Sequence, residues 1–433
     1  MKLNYKRTIL VGFAFFLISA FWQAYDKTIP LIMTYRYGMT QLESGIIMAL
    51  DNVLAVFLLP LFGALSDKCD NRLGKRTIFI LIGTICAVIS FIFIPLIGNV
   101  WVFIAVLLVT LLSMALFRSP AVALMPDVTC KPLRSKGNAI INLVGTAGGI
   151  IVLGIGMVIK VNEDNMHNLF PYYIAVCGLM LLGLIVFMLT VKENKWASEM
   201  QEDTKKYFPE ETEEDKAVEQ KESDNSKGKK LSKGKTLSLF LILASVALWF
   251  MGYNAITSKY SLYADSVLHQ SYDLTLIIAQ VGAIVAYIPV GIIASKIGRK
   301  KTILAGVIML FSAFFIATFM TADSSPIFMY VLFTLAGIAW ATINVNSFPM
   351  VVELAKDGDV GKYTGFYYTA SMSAQVLTPI LSGWIMDLFG NMLPLFPYAS
   401  ICVGLAFVTM FFVKHGDSKP VAKKGLEALD VDD

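Results

Sequence analysis

The chain has 433 residues, of which 56% are hydrophobic and 12% aromatic but only 16% charged, far too much apolar surface for one soluble core. Its formal net charge is +4, and the basic residues are spread over short loops instead of forming one face, which excludes a nucleic-acid partner. The five cysteines, at 69, 86, 130, 177 and 402, are scattered, so no disulfide framework, metal site or cofactor is expected.

Met1 to Arg7 is basic and leads into the apolar run Ile9 to Ala24. This reads as a retained first span, because the run exceeds a signal-peptide core and no small-residue cleavage pattern follows. Five more runs long enough for a hydrocarbon core of about 30 Å lie at Ser44 to Leu65, Thr77 to Ile97, Trp101 to Met125, Gly137 to Ile159 and Pro171 to Val191. A second set of six lies at Leu237 to Leu262, Leu274 to Ser295, Thr302 to Met320, Ile327 to Val352, Tyr363 to Met386 and Leu395 to Val413. The expected fold is an all-α membrane protein with about twelve transmembrane helices in two six-helix bundles, 1–191 and 237–414.

Between the second and third runs lies a compact charged turn, Gly63 to Arg76, containing Asp67, Lys68, Asp70, Arg72, Gly74, Lys75 and Arg76. A tight excess of Lys and Arg between two spans marks the cytoplasmic side. The turn is either a topology anchor alone or a gating element. A second copy, Gly291 to Lys300, stands in the other half, and Trp22, Asp26, Arg118 and Asp127 recur as Trp249, Asn254, Asn344 and Glu353, 226–228 positions later. The chain is therefore a duplication, two bundles related by an axis along the membrane normal, as in major facilitator transporters.

Basic residues collect in the loops assigned inside, including Lys131, Arg134, Lys136, Lys356 and Lys362, while Arg36 and Lys160 are the main exceptions outside. Both termini and the central segment are thus expected in the cytoplasm. Residues 192–236 form a mixed-charge linker with almost no aliphatic side chains, expected to be a disordered tether, and 415–433 a cytoplasmic tail. The basic end of the linker, Lys227 to Lys235, suits anionic lipid headgroups.

Polar side chains inside the apolar runs are Asp26, Asp51, Asn52, Arg118, Asn142, Asn254, Gln280, Asn344, Asn346 and Gln375. They avoid spans 3, 6, 9 and 12. A charged group facing lipid costs about 3 kcal/mol, so those four spans are expected against lipid and the other eight around a cavity. Span 5 carries Asn138, Asn142, Gly145 and Gly149 on one face, and span 11 carries Tyr367, Ser371, Thr378 and Ser382, with Gln375 close by; the small residues serve either the cavity or close helix contact. Trp22, Trp249, Tyr253 and Trp340 suit stacking on a sugar ring, or anchoring at the membrane interface.

Ser66-Asp67-Lys68-Cys69-x-x-Arg72-Leu73-Gly74-Lys75-Arg76, followed by Phe79-Ile80, resembles the loop between spans 2 and 3 of the plant sucrose-proton symporters and their animal and bacterial relatives. Pro120 to Asp127 resembles that family's span 4 segment, and Asn138-Ala139 the start of its span 5. The specific motifs cover the first third of the chain and depart from the family in two places. The family's span 4 arginine is replaced by Val122, with Arg118 one turn earlier. The paired aspartates of the melibiose-type relatives are Ala55 and Leu59 here, so sodium coupling through that pair lacks its residues; Asp51 lies one turn further out.

The resemblance implies a proton-coupled symporter of a small sugar or glycoside at the cell membrane, acting as a monomer. A drug or metabolite antiporter is the alternative within transport, although Leu143 to Gly156 lacks the proline of the exporters' span 5 motif. A transporter-like receptor without net flux is the alternative from another class. No enzyme is expected, since His167, His269 and His415 lie in loops without a nucleophile nearby. The expected proton carriers are Asp26 and Asp51, either of which pairs with Arg118, although Asp26 beside Lys27 can also be read as an interfacial residue. The expected substrate side chains are Arg118, Asn142, Trp249, Asn254, Gln280, Asn344 and Gln375, and the gating motif is Gly63, Asp67, Lys68, Arg72, Gly74, Lys75 and Arg76.

Overall fold

Each predicted apolar run folds as one helix. The computed structural model describes residues 3–130, 133–207, 233–352, 354 and 360–415. α1 (Tyr5–Leu31) opens on Asn4, whose side chain accepts from the Arg7 amide, and runs into a π-helical turn, Ile32–Arg36. α2 (Gln41–Asp67) begins at a reciprocal cap in which Thr40 and Glu43 satisfy each other's amides, the pairing that a Thr-x-x-Glu sequence favours. α3 (Thr77–Phe93), α4 (Val100–Val128), α5 (Arg134–Val158) and α6 (Phe170–Thr190) complete the first half. The second half consists of α8 (Lys233–Tyr263), α9 (Asp273–Ile297), α10 (Arg299–Ala317), α11 (Pro326–Val352), α12 (Val360–Phe389) and α13 (Leu395–Phe411). A helix of 27 residues, such as α1 or α2, is about 40 Å long, enough to cross a bilayer at a tilt.

The duplication is visible in which helices touch. In the first half α1 packs on α5 and α6, α2 on α4, and α3 on α4 and α6; in the second, α8 packs on α12 and α13, α9 on α11, and α10 on α11 and α13. The pattern is the same after a shift of one repeat. The halves meet along α2–α12, α5–α9 and α1–α8. None of these seams uses α3, α6, α10 or α13, which instead expose apolar stripes such as Ile82, Ile85 and Ile89 on α3 and Ile401, Leu405 and Val408 on α13. Such faces are stable only against hydrocarbon.

The linker reading needs a correction. Glu193–Tyr207 forms a further helix, α7, which lies on the first half. Trp196 is buried there, the Arg7 guanidinium sits 5.4 Å from its ring, and Arg7 pairs with Glu199 at 2.5 Å. One aromatic and one buried carboxylate suffice to dock a segment whose average composition is too polar for a core. The rest of the tether, 208–232, the tail from 416 onward, and Glu353 and Lys356 lie outside the described residues.

Candidate functional site

In the middle of the first half, α1, α2 and α4 bring Asp26, Asp51 and Arg118 into one cluster. Asp26 lies within the electrostatic field of Asp51, and Asp51 within that of Arg118. The Asp51 carboxylate accepts from the Asn52 amide at 2.6 Å and from the Asn52 side chain at 2.8 Å. The Arg118 guanidinium lies 5.6 Å from the Trp22 ring, an arrangement in which the ring's negative face meets the cation. Tyr25 is fully buried beside both carboxylates. Its hydroxyl and the Trp22 indole N–H find no hydrogen-bond partner among the described residues. Three ionisable groups within apolar helices gather because each costs less near an opposite or polarisable neighbour than alone.

Among the described residues, the electrostatic neighbours found for Asp26 and Asp51 all lie in the first half. Gln280 on α9 reaches across and donates to Gln23 of α1 at 2.7 Å, and Gly149 of α5 backs both amides closely. Asn142, Asn344 and Gln375 are half-buried on α5, α11 and α12. Asn254 is half-buried, with its amide nitrogen buried and unpaired among the described residues. Tyr253 and Trp340 stack face to face, with centroids 3.7 Å apart at 7°.

Trp249 stands apart from the other expected substrate side chains in this structure. It is 0% exposed and sits in the main hydrophobic cluster. Its repeat mate Trp22 has a cation to cover; Asn344 stands where Arg118 would recur, so Trp249 has no cation at the matching place and its ring is buried among apolar neighbours.

At the face where α2 ends and α3 begins, the charged turn folds around Arg76. This side chain is buried and donates to Ser66, to the Gly63 carbonyl, to Asp67 and, at 2.8 Å, to Asp127 of α4. Lys75 adds a 3.2 Å contact to Asp127, whereas Lys68 and Arg72 are exposed. Asp67 is mostly exposed and pairs within its own half. Sequence reasoning missed Glu193, whose carboxylate accepts from the amides of Arg76 and Thr77 and from the Thr77 hydroxyl at 2.7–3.1 Å. It fills the space beside Gly74, whose φ of +124° and absent Cβ both require glycine.

The opposite face is closed by hydrogen bonds between the halves. Asp387 at the end of α12 accepts from the amides of Gln41 and Leu42 at 2.7 and 2.6 Å, capping α2 in trans, and Lys259 of α8 donates to Gln41. Lys27 of α1 meets Asp273 of α9 at 2.5 Å. Of these partners Lys27 and Lys259 carried a sequence signal, a charge inside an apolar helix, and the sequence reading overlooked Lys259; Asp273 is 246 positions from Lys27 and looked like a loop acid.

The chain matches the Major Facilitator Superfamily over residues 11–285 and 269–430. It is 24% identical over 426 residues, covering 94% of this chain and 95% of the other, to an uncharacterized MFS-type transporter of Methanocaldococcus jannaschii. Among solved structures it resembles the inward-open conformation of the xylose transporter XylE from E. coli, with a TM-score of 0.66, 16% identity and 98% of both chains covered. It also resembles a peptide transporter, POT, with a TM-score of 0.69, 13% identity and 94% and 93% covered. At these identities the two structures speak for the fold alone. The matched profile spans both halves of the duplication, so the chain belongs to the Major Facilitator Superfamily and is a multi-pass membrane transporter, not an enzyme.

Proposed function

We propose that the chain is a secondary active transporter that carries a small sugar or glycoside together with a proton by alternating access between two faces. The observation that carries this reading is the cluster of Asp26 and Asp51 beside Arg118. Asp51 lies in the field of Arg118 and Asp26 in that of Asp51, so a proton taken up by either carboxylate changes the charge that Arg118 faces. A deprotonated carboxylate holds the arginine; once protonated it releases it to hydrogen-bond a hydroxylated solute. The facing half supplies amides and stacked aromatics, Gln280, Asn254, Tyr253 and Trp340, a lining suited to an uncharged ring with many hydroxyls. The sucrose-proton symporter likeness of the 66–80 turn supports the same class.

In this reading the face bearing the Gly63 to Arg76 turn is cytoplasmic, 1–191 and 237–414 are the two bundles, the membrane is the cell membrane and the transporter works as a monomer. The face held by Lys27, Asp273 and Asp387 is the outer one, and the chain is in an inward-facing state. The test is purified protein in liposomes under an imposed inward proton gradient, with labelled mono- and disaccharides outside. Accumulation that collapses with a protonophore supports symport. Gradient-driven loss of preloaded solute supports the antiport alternative, and stabilisation by a sugar without flux supports a receptor.

A further inference from the structure

Beneath α7 lies a cavity of about 260 Å³ whose lining shares no residue with the central cluster. It is bounded by the start of α1, the last turn of α4 with the residues just past it, and the inner face of α7. Three sulfur-bearing side chains from three places in the chain line it: Met125 in the last turn of α4, Cys130 beyond that helix, and Met200 in the middle of α7. Trp196, Met200 and Thr204 recur at helical spacing on one face of α7. The Thr204 hydroxyl donates to the Met200 carbonyl at 2.8 Å and lies 3.4 Å from the Cys130 Sγ and 3.5 Å from the Met200 Sδ, so one hydroxyl touches two of the sulfurs. Cys130 is only 2% exposed, and a ligand reaches its thiol through the cavity. Arg7, Glu199 and Asp203 stand on the same lining, with Arg7 paired to Glu199 at 2.5 Å. One cation against two carboxylates leaves the lining one charge negative.

We propose that Cys130, Met125 and Met200 form a binding site for a soft monovalent metal ion, copper(I) or its congener silver(I), with α7 as its roof. A thiol and two thioethers are ordinary filling where they close a core; here they edge an open space instead. Thiolate and thioether sulfur select copper(I), whereas magnesium and calcium require oxygen donors. Charge decides among the soft ions. As the metal binds, the Cys130 S–H gives its proton to solvent and the sulfur's electron pair forms the bond to the metal. One monovalent ion and one thiolate make a neutral centre, which is the least costly state in a half-enclosed pocket, while a divalent ion would leave a net charge there. Carboxylates on the lining raise the local concentration of a cation, and the flexible methionine stems let two helices close on it. Cys130 and Met200 are 70 positions apart, so cysteine spacing alone carries no sign of the site. Occupation ties the end of α4 to the middle of α7, behind the turn that Asp127 and Glu193 hold through Arg76. The site stands whether or not the chain carries a sugar.

The probe is silver(I), which needs no reductant, titrated into the full-length protein in nanodiscs, with copper(I) added in parallel against a chromophoric chelator. Cys130→Ser should lose one equivalent of either ion relative to the parent, the other four cysteines contributing equally to both; Cys130→Ala should do the same and serves where the serine variant is not monodisperse. Met125→Leu and Met200→Leu keep the volume and should each weaken that equivalent roughly tenfold or more, the scale on which groups around a metal tune its hold. Hydrogen exchange over 193–207 should slow when silver is added to the parent and stay unchanged in Cys130→Ser. Full stoichiometry without Cys130 would overturn the site. So would silver held with the parent's affinity in both leucine variants, which is a bare thiol–metal bond only. Zinc(II) that slows exchange as silver does would overturn the choice of a monovalent ion.

Discussion

Glu193 closes the amino-terminal end of α3 from 117 positions away, its carboxylate 2.9 Å from the Arg76 amide and 2.8 Å from the Thr77 amide. A helix start leaves amides without partners and carries partial positive charge, so a buried carboxylate there is doubly favoured. The same residue begins α7, and Asn194 beside it donates to the Asn71 and Arg72 carbonyls. The surface helix is therefore fastened to the 63–76 turn.

Replacing Glu193 by alanine should free that helix start and undock α7. The expected cost is about 2 kcal/mol, the scale of buried donors left without partners. Hydrogen exchange over 193–207 and 74–80 checks it: faster exchange confined to these two segments is expected, and Glu193→Gln, which keeps one acceptor, should fall between the two. Unchanged protection in Glu193→Ala refutes the fastening.

Asp67 is mostly exposed and held by Arg76, which also serves Asp127. It is the member of the turn free to exchange partners when the halves close on this side. Asp67→Asn should slow transport about tenfold at equal expression while leaving solute-induced thermal stabilisation intact. Arg76→Lys should do worse, because an ammonium lacks the planar fork that reaches Asp67, Ser66 and Asp127 together. A transport rate equal to the parent's in Asp67→Asn reduces the turn to a topology anchor.

The proton reading makes a separable prediction. Asp26→Asn and Asp51→Asn remove a charge with little change of shape, so at least one should abolish accumulation driven by a pH gradient yet keep exchange of labelled for unlabelled solute. Arg118→Ala should instead lose solute-induced stabilisation, which follows mass action on the folded state. Both Asn variants concentrating solute like the parent would place the proton site elsewhere.

Asp387 caps α2 across the two halves, and α2 and α12 approach so closely that a Cβ on Gly383 would strike the Gln41 backbone. Asp387→Ala should cost roughly 1 kcal/mol, as loss of a helix cap does. It should also raise the accessibility of the α2 start to a membrane-impermeant thiol reagent at Thr40→Cys, an exposed position. Gly383→Val should disrupt the seam outright, read as loss of the monodisperse peak.

Hydropathy fixed the number of helices and the duplication, because lipid demands a continuous apolar run at every crossing and a repeat leaves its landmarks at constant spacing. That α3, α6, α10 and α13 keep off the seam between the halves and turn apolar stripes outward also agrees with the sequence, since a polar residue facing lipid is too costly to be hidden in the pattern. Asp26, Asp51 and Arg118 were legible for the same reason: charges in apolar runs are rare and must find one another. What depended on partners far along the chain was not legible. Trp22 and Trp249 occupy equivalent positions, yet one covers a guanidinium and the other is sealed in the core, a choice made by neighbours on other helices. Glu193 and Asp273 look like ordinary acids at helix starts. Only the tertiary structure turns one into the cap of α3 and the other into the partner of Lys27, because burial, which gives each charge its energy, is a property of surfaces that come together after the chain has folded.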